Sequence, residues 1–165
     1  MRLRAARFHE AEVLSELCRR SKASWGYDAA FMAASAASLR VEFEAIERGR
    51  VFVAEDEAGE LLGVASYEWL QATGAAELDL LFVAPGVMRK GVGRALLDRV
   101  VAAVTAARAR RLVILADPNA AGFYRRYGAA YLCDAPSDAI PGRTLPLFSL
   151  ELASGAGSGS SRSYA

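Results

Sequence analysis

The stretch from Ala76 to Ala116 constrains this chain more than any other. It opens with AELDLLFV, Ala76–Val83, whose alternation predicts a β-strand. Pro85 closes that strand, and a glycine pair, Gly91 and Gly93, follows among Arg89, Lys90 and Arg94. Leu96, Leu97, Val100, Val101 and Val104 then recur at helical spacing and predict a buried stripe. Leu112–Ala116 is short and continuously apolar, as expected of a central strand in a parallel pair. Strand, helix and strand in that order predict a parallel pair with a right-handed crossover. Strict alternation puts Glu77, Asp79, Leu81 and Val83 on one face of the first strand, and Leu78, Leu80 and Phe82 on the other.

Around this unit, Leu3–Phe8 reads as an opening strand. EAEVLSELCRRS reads as a helix with Val13, Leu14, Leu17 and Cys18 on one stripe. A second helix is predicted over Asp28–Ala37, with Asp28 near its start. Between them, SWGY (Ser24–Tyr27) is a bend whose rings either pack on the core or wall a pocket. Val51–Glu55 and Leu61–Trp69 form a hairpin around the turn EDEAGEL. Asp117-Pro118 starts another helix, which Gly128 ends. Two strands close the order β-α-α-β-β-β-α-β-α-β-β, the last over Leu145–Leu152. The expected architecture is α/β (α+β), a mixed sheet with helices on both faces.

A chain of 165 residues that is 53% apolar suits one domain with a real core, expected over residues 1–153. From Ser154 the small polar run SGAGSGSSRSYA predicts a disordered tail. The formal net charge of +1 argues against wholesale nucleic-acid binding. No run approaches the ~18 consecutive apolar residues of a membrane span. The N-terminus lacks the apolar segment of a signal peptide, so a soluble cytoplasmic protein is expected. Cys18 and Cys133, far apart in apolar contexts, read as buried thiols. His9 is the only histidine, which disfavours a zinc site and histidine-based nucleophilic catalysis alike.

A helix starting near Gly91 offers unpaired N–H groups and the positive end of its dipole. The glycines let an anion approach the backbone, and the neighbouring basic residues add charge. A Walker A loop is excluded, because Arg94 and Ala95 follow Gly93. A dinucleotide fingerprint needs a third glycine where Leu96 stands. By itself the pair fits either a plain strand-to-helix turn or a pyrophosphate cradle.

ELDLLFVAPGVMRKGVGRALL resembles the acyl-CoA-binding segment of the GNAT superfamily of N-acyltransferases, in which a strand leads through (Gln/Arg)-x-x-Gly-x-(Gly/Ala) into a helix. ADPNAAGFYRRYGA, Ala116–Ala129, resembles the Asn…Phe-Tyr…Gly block of the same family, and the likeness runs from about Leu3 to Leu152. Met88 departs from it at the Gln/Arg position, and Arg89 stands where glycine is common.

The resemblance implies a largely antiparallel GNAT-type sheet with a central splayed parallel strand pair. It implies acetyl-CoA-dependent transfer to the amine of a small molecule or peptide, without a metal, nucleic acid or membrane, and leaves room for a homodimer. The backbone of Leu81, Phe82 and Val83 would bond the pantetheine arm as an added strand does. Arg89, Lys90, Gly91, Val92, Gly93 and Arg94 would hold the pyrophosphate, and Asn119 and Phe123 would contact the cofactor. Glu77 matches the position of a glutamate base, and Asp79, roughly 7 Å further along the strand, competes with it. Both are equally consistent with charges paired to arginines at a sheet end. Tyr124 falls at the general-acid position, where a pKa of ~10 keeps it protonated, although it also suits packing beside Phe123. A strand N–H near Val83 would serve the oxyanion. Trp25, Tyr27 and Arg143 are candidates for the acceptor pocket; Arg143 would bind a substrate carboxylate or anchor its own loop. The alternative is an acyl-CoA-binding module without catalysis.

Overall fold

The structure is a computed structural model that describes residues 1–70 and 73–152, so the tail expected from Ser154 lies outside the described residues. Strands β1 (Arg2–Ala5), β2 (Val51–Glu55), β3 (Leu61–Leu70), β4 (Ala75–Val83), β5 (Arg111–Leu115), β6 (Ala130–Pro136) and β7 (Thr144–Glu151) form one sheet. Their order across it is β1-β2-β3-β4-β5-β7-β6. Every neighbouring pair is antiparallel except β4 and β5, the parallel pair expected from the sequence.

Helices cover both faces. Over one lies α4 (Val92–Ala106), whose Leu96, Leu97, Val100 and Val104 are fully buried with Phe52, Leu112, Ile114 and Phe148. At ~1.5–3 kcal/mol per fully buried aliphatic side chain, this stripe anchors the helix against the sheet. The helix α5 (Ala121–Tyr127) adds Tyr124 to the same cluster and ends on Gly128 in the left-handed region. Over the other face lies α1 (Ala11–Ala23), with Leu14, Leu17 and Cys18 packed against Val53, Val64 and Leu80. Two short helices, α2 (Ala29–Ala34) and α3 (Phe43–Glu47), complete this side, and α3 has no counterpart among the sequence expectations.

Several boundaries differ from the sequence reading for local reasons. The first strand stops at Ala5, and Phe8–Glu10 turns as a 3-10 helix. Glu10 is buried there because Arg4 pairs with it at 2.7 Å and the Arg7 amide donates to it. Val13 is exposed, and Ser15 takes its place in the buried stripe. Ser15 can be buried because its hydroxyl donates to the Ala11 carbonyl and accepts from the Val41 amide. Val101 is only half-buried. The helix expected over Asp28–Ala37 breaks after Ala34, although Asp28 does cap it by accepting from the Phe31 amide. Cys18 is buried, and desolvation pushes its thiol up to about 12. Cys133, expected buried, is exposed because β6 is an edge strand.

The most consequential departure is in β4. Ser66 of β3 pairs with Leu80, but the next residue, Tyr67, pairs with Leu78, so Asp79 is an extra residue in β4. Such a bulge resets the alternation. Before it, Leu78 packs in the α4 cluster; after it, Leu80 and Phe82 pack on the α1 side, and Leu81 and Val83 on the α4 side. Asp79 stays on the α1 side, where it accepts from the Ser66 hydroxyl at 2.7 Å. Strict alternation places Glu77, Asp79, Leu81 and Val83 on one face; the bulge divides this set.

Candidate active site

The two central strands pair only from Ala75–Arg111 to Glu77–Val113. Beyond Glu77, β4 continues to Val83 without its parallel neighbour, and the strands splay. A cleft of about 1030 Å³ opens at the gap. Its volume suits an extended ligand of cofactor size.

One end of the cleft is the N-terminus of α4. Gly91 precedes the helix with φ +86°, a left-handed value that glycine adopts without strain. The amides of Gly91, Val92, Gly93 and Arg94 have no acceptor among the described residues. A Cβ on Gly93 would lie 3.4 Å from Val83 and 3.9 Å from Phe123, which is ordinary contact. The protein alone would therefore admit alanine there, and the glycine keeps room above the amides. Arg89 and Arg94 line this end, as does Met88. Arg89 has φ +64°, so it occupies a glycine-type conformation with a long cationic side chain. These features together fit a pyrophosphate group.

The middle of the cleft holds Glu77, Asp79, Leu81, Phe82, Val83, Phe123 and Tyr124. Glu77 is half-buried and has no hydrogen-bond partner among the described residues. Its carboxyl is raised by burial first, then by Asp79 and Asp138. Asp79 opens onto the cleft but is enclosed by protein on its other sides; that desolvation raises its carboxyl, against the Ser66 hydrogen bond. Tyr124 is 6% exposed, and its hydroxyl has no partner among the described residues. Burial, and then Asp117, drive that hydroxyl well above the ordinary tyrosine value, so it stays protonated.

Beside them lies a network around Asp117. Lys22 from α1 donates to it at 2.5 Å, the Tyr27 hydroxyl at 2.9 Å, and Arg143 comes within 3.8 Å. The other carboxylate oxygen caps the Asn119 amide at 2.9 Å. Desolvation opposes ionisation of Asp117, but these donors outweigh it and hold the carboxyl below its usual value. Asn119 also donates from its side chain to Tyr27 and Asp117. Arg143 donates to the Tyr27 hydroxyl at 3.0 Å, so its charge is already committed.

Of the residues singled out in the sequence, Trp25, Arg143 and Asn119 also line the cleft, whereas Tyr27, Lys90 and Val92 do not. Tyr27 stands behind the wall and steadies Asp117. Lys90 is exposed, and the Val92 side chain is buried in the core, leaving only its amide at the helix start. The sequence reading missed Ser21, Lys22, Ser35, Ser38, Asp117 and Asp138, all cleft-lining. Asp117 was visible only as a helix cap. Lys22 lies 95 positions earlier, and no local pattern links the two. Among the described residues no cluster of His, Cys, Asp and Glu could hold a metal ion, and no helix is long and apolar enough to cross a membrane.

Comparison with known proteins agrees with this geometry. Residues 47–128, from the last residue of α3 to Gly128 just past α5, match the acetyltransferase (GNAT) domain model. A mycothiol acetyltransferase from Geodermatophilus obscurus is 46% identical over 63 residues, which is 38% of this chain and 20% of that protein. The chain thus spans about a fifth of the length of that curated relative. Among solved structures, the PaiA N-acetyltransferase of Thermoplasma acidophilum in complex with coenzyme A superposes with a TM-score of 0.72 at 15% identity, covering 91% of this chain and 98% of that one. A phosphinothricin acetyltransferase from Sinorhizobium meliloti in complex with AcCoA gives 0.68 at 21% identity, covering 94% and 90%. The chain belongs to the GNAT superfamily of acetyltransferases.

Proposed function

We propose that this protein transfers the acetyl group of acetyl-CoA to the amine of a small molecule or peptide by direct attack. The observation that carries the reading is the meeting, in one cleft, of unpaired α4 amides, a partnerless carboxylate at Glu77 and a partnerless tyrosine hydroxyl at Tyr124.

The chain's residues suit acetyl-CoA. The amides of Gly91, Val92, Gly93 and Arg94, with Arg89 and Arg94, would hold the pyrophosphate. The open edge of β4 at Leu81, Phe82 and Val83 would take the pantetheine amides as a further strand. Phe123 lies against this arm's course, while Asn119 stands at its flank. When bound, acetyl-CoA supplies an activated acyl carbonyl and a thiolate leaving group.

An alkyl ammonium has a pKa of ~10, so an amine acceptor must lose a proton before it attacks. Glu77 suits this proton, because its raised carboxyl is a stronger base than an ordinary glutamate. Asp79, held by Ser66 on the same side of β4, is the second candidate. Tyr124 then gives its proton to the departing sulfur, for which a buried, protonated hydroxyl is well matched. A β4 amide near Val83 would stabilise charge on the carbonyl oxygen.

Release of free CoA across amino acids, polyamines, aminoglycosides and peptides tests the reading. Tyr124→Phe is expected to lower turnover by about 10²–10⁴-fold with little change in acetyl-CoA affinity. Full turnover by that variant removes Tyr124 as the acid. Tight acetyl-CoA binding with no release on any acceptor would leave a binding module.

A further inference from the structure

The cleft is charged in opposite senses at its two ends. Arg89 and Arg94 line the α4 end and Arg126 lines the cleft from α5 beside Gly122, whereas Lys22 and Arg143 are already held by Asp117. The three carboxylates Glu77, Asp79 and Asp138 that line the remainder have no cationic partner among the described residues. Asp138 sits on the loop between β6 and β7, close enough to act electrostatically on Glu77.

A second, independent observation marks the same region as a binding surface. Ser21 and Ser35 are 2% and 3% exposed, yet both line the cleft. Neither hydroxyl has a hydrogen-bond partner among the described residues, and neither is sealed from the cavity. Ser21 lies one turn beyond Cys18, which is within electrostatic reach of Asp79. Hydroxyls that open onto a cavity without a protein partner are free to bond water or a ligand that enters it. At the rim, Trp25 is 43% exposed and offers an aromatic face, a surface that attracts cations.

Resting on the acetyltransferase reading above, we propose that the acceptor is a small polar amine carrying a second positive charge and no carboxylate. Glu77 or Asp79 receives the reacting amine, Asp138 with Trp25 holds the distal cation, and Ser21 and Ser35 bond the polar groups between. The loop arginine nearest Asp138 in sequence, Arg143, is committed to Tyr27 and Asp117 and does not offer its charge to a substrate carboxylate.

The test is calorimetric titration of the CoA-loaded full chain with diaminobutane, aminobutanol and aminobutyrate, which differ only in the distal group. Diaminobutane is expected to bind about tenfold tighter than aminobutanol, with aminobutyrate weakest. Asp138→Asn, a change on an exposed loop residue, is expected to narrow the gap between diamine and amino alcohol to roughly threefold or less. Equal binding of the three probes, tightest binding of aminobutyrate, or no detectable binding of diaminobutane overturns the proposal. Failure of the transferase reading shows separately, as an absence of CoA release on every amine.

Discussion

Gly63→Ala probes the packing that aims α4 at the cleft. Gly63 lies on β3 opposite Val83, directly beneath the start of the helix. A Cβ there would come within 2.8 Å of the Phe82 carbonyl oxygen, 2.9 Å of Leu96 Cδ1 and 3.2 Å of Val92 Cγ1. The carbonyl belongs to the β3–β4 ladder and cannot turn away without loss of pairing. Leu96 and Val92 are buried at 0% and 3% exposure, so neither has free space to yield. Overpacking of this kind costs about 1–3 kcal/mol. For a domain of this size each kcal/mol moves Tm by about 2–4 °C, so a fall of roughly 2–12 °C is expected. Gly86→Ala is the matched control, because nothing lies within 4 Å of the position a Cβ would take there and its φ is not left-handed. There the substitution restricts the unfolded chain and should stabilise by about 0.4–1 kcal/mol. Urea denaturation of both variants at equal m-value supplies the comparison. Displacing Val92 and Leu96 also moves the amides that follow Gly91, so acetyl-CoA affinity should fall in Gly63→Ala. Stability of Gly63→Ala equal to or above that of the parent protein would refute the packing argument.

Gly93→Ala should separate stability from binding: alanine is favoured in the helix by up to about 1 kcal/mol, while its methyl intrudes above the amides. Denaturation should show a protein at least as stable as the parent, and calorimetry a weaker hold on acetyl-CoA; unchanged affinity would mean that the space is not used. Arg89→Gly removes a positive-φ penalty of about 1–2 kcal/mol and should raise the unfolding midpoint. No gain in stability would show that Arg89 makes compensating contacts. Glu77 binds a proton more tightly when folded than unfolded, because burial, Asp79 and Asp138 raise its carboxyl. Its effect on stability is therefore absent at acid pH and becomes a loss as pH rises from the ordinary glutamate value through the raised one. Glu77→Gln should relieve that loss at neutral pH, seen as a smaller fall in the unfolding midpoint with pH, and should also remove the acid limb of the turnover profile. An unaltered acid limb would move the base to Asp79.

The site was partly legible because its elements are local. The glycine pair, the basic cluster and the Asp117–Gly128 segment each lie within a short run, and local runs report helix starts, caps and turns directly. Alternation in β4 was legible as far as Asp79 and misread beyond it, since nothing in ELDLLFV announces that Asp79 is an extra residue. A bulge is a property of two paired strands, so it depends on the partner β3 as much as on β4. Val13 and Ser15 teach the same lesson on α1: polarity alone ranks them wrongly, and the Val41 amide that satisfies Ser15 comes from a distant segment.

By itself the sequence determined the strand–helix–strand unit and the phosphate-suited start of α4, because side-chain period and glycine placement act over a few neighbours. The tertiary structure alone decided how far β4 and β5 stay paired, which side of the sheet Leu80, Leu81, Phe82 and Val83 face, and that Asp117 binds both Lys22 and Arg143. It also decided which carboxylates remain without cations, and hence the charge of the cleft. Those outcomes depend on groups far apart in the chain, whose meeting is set by packing both faces of one sheet and not by any local preference.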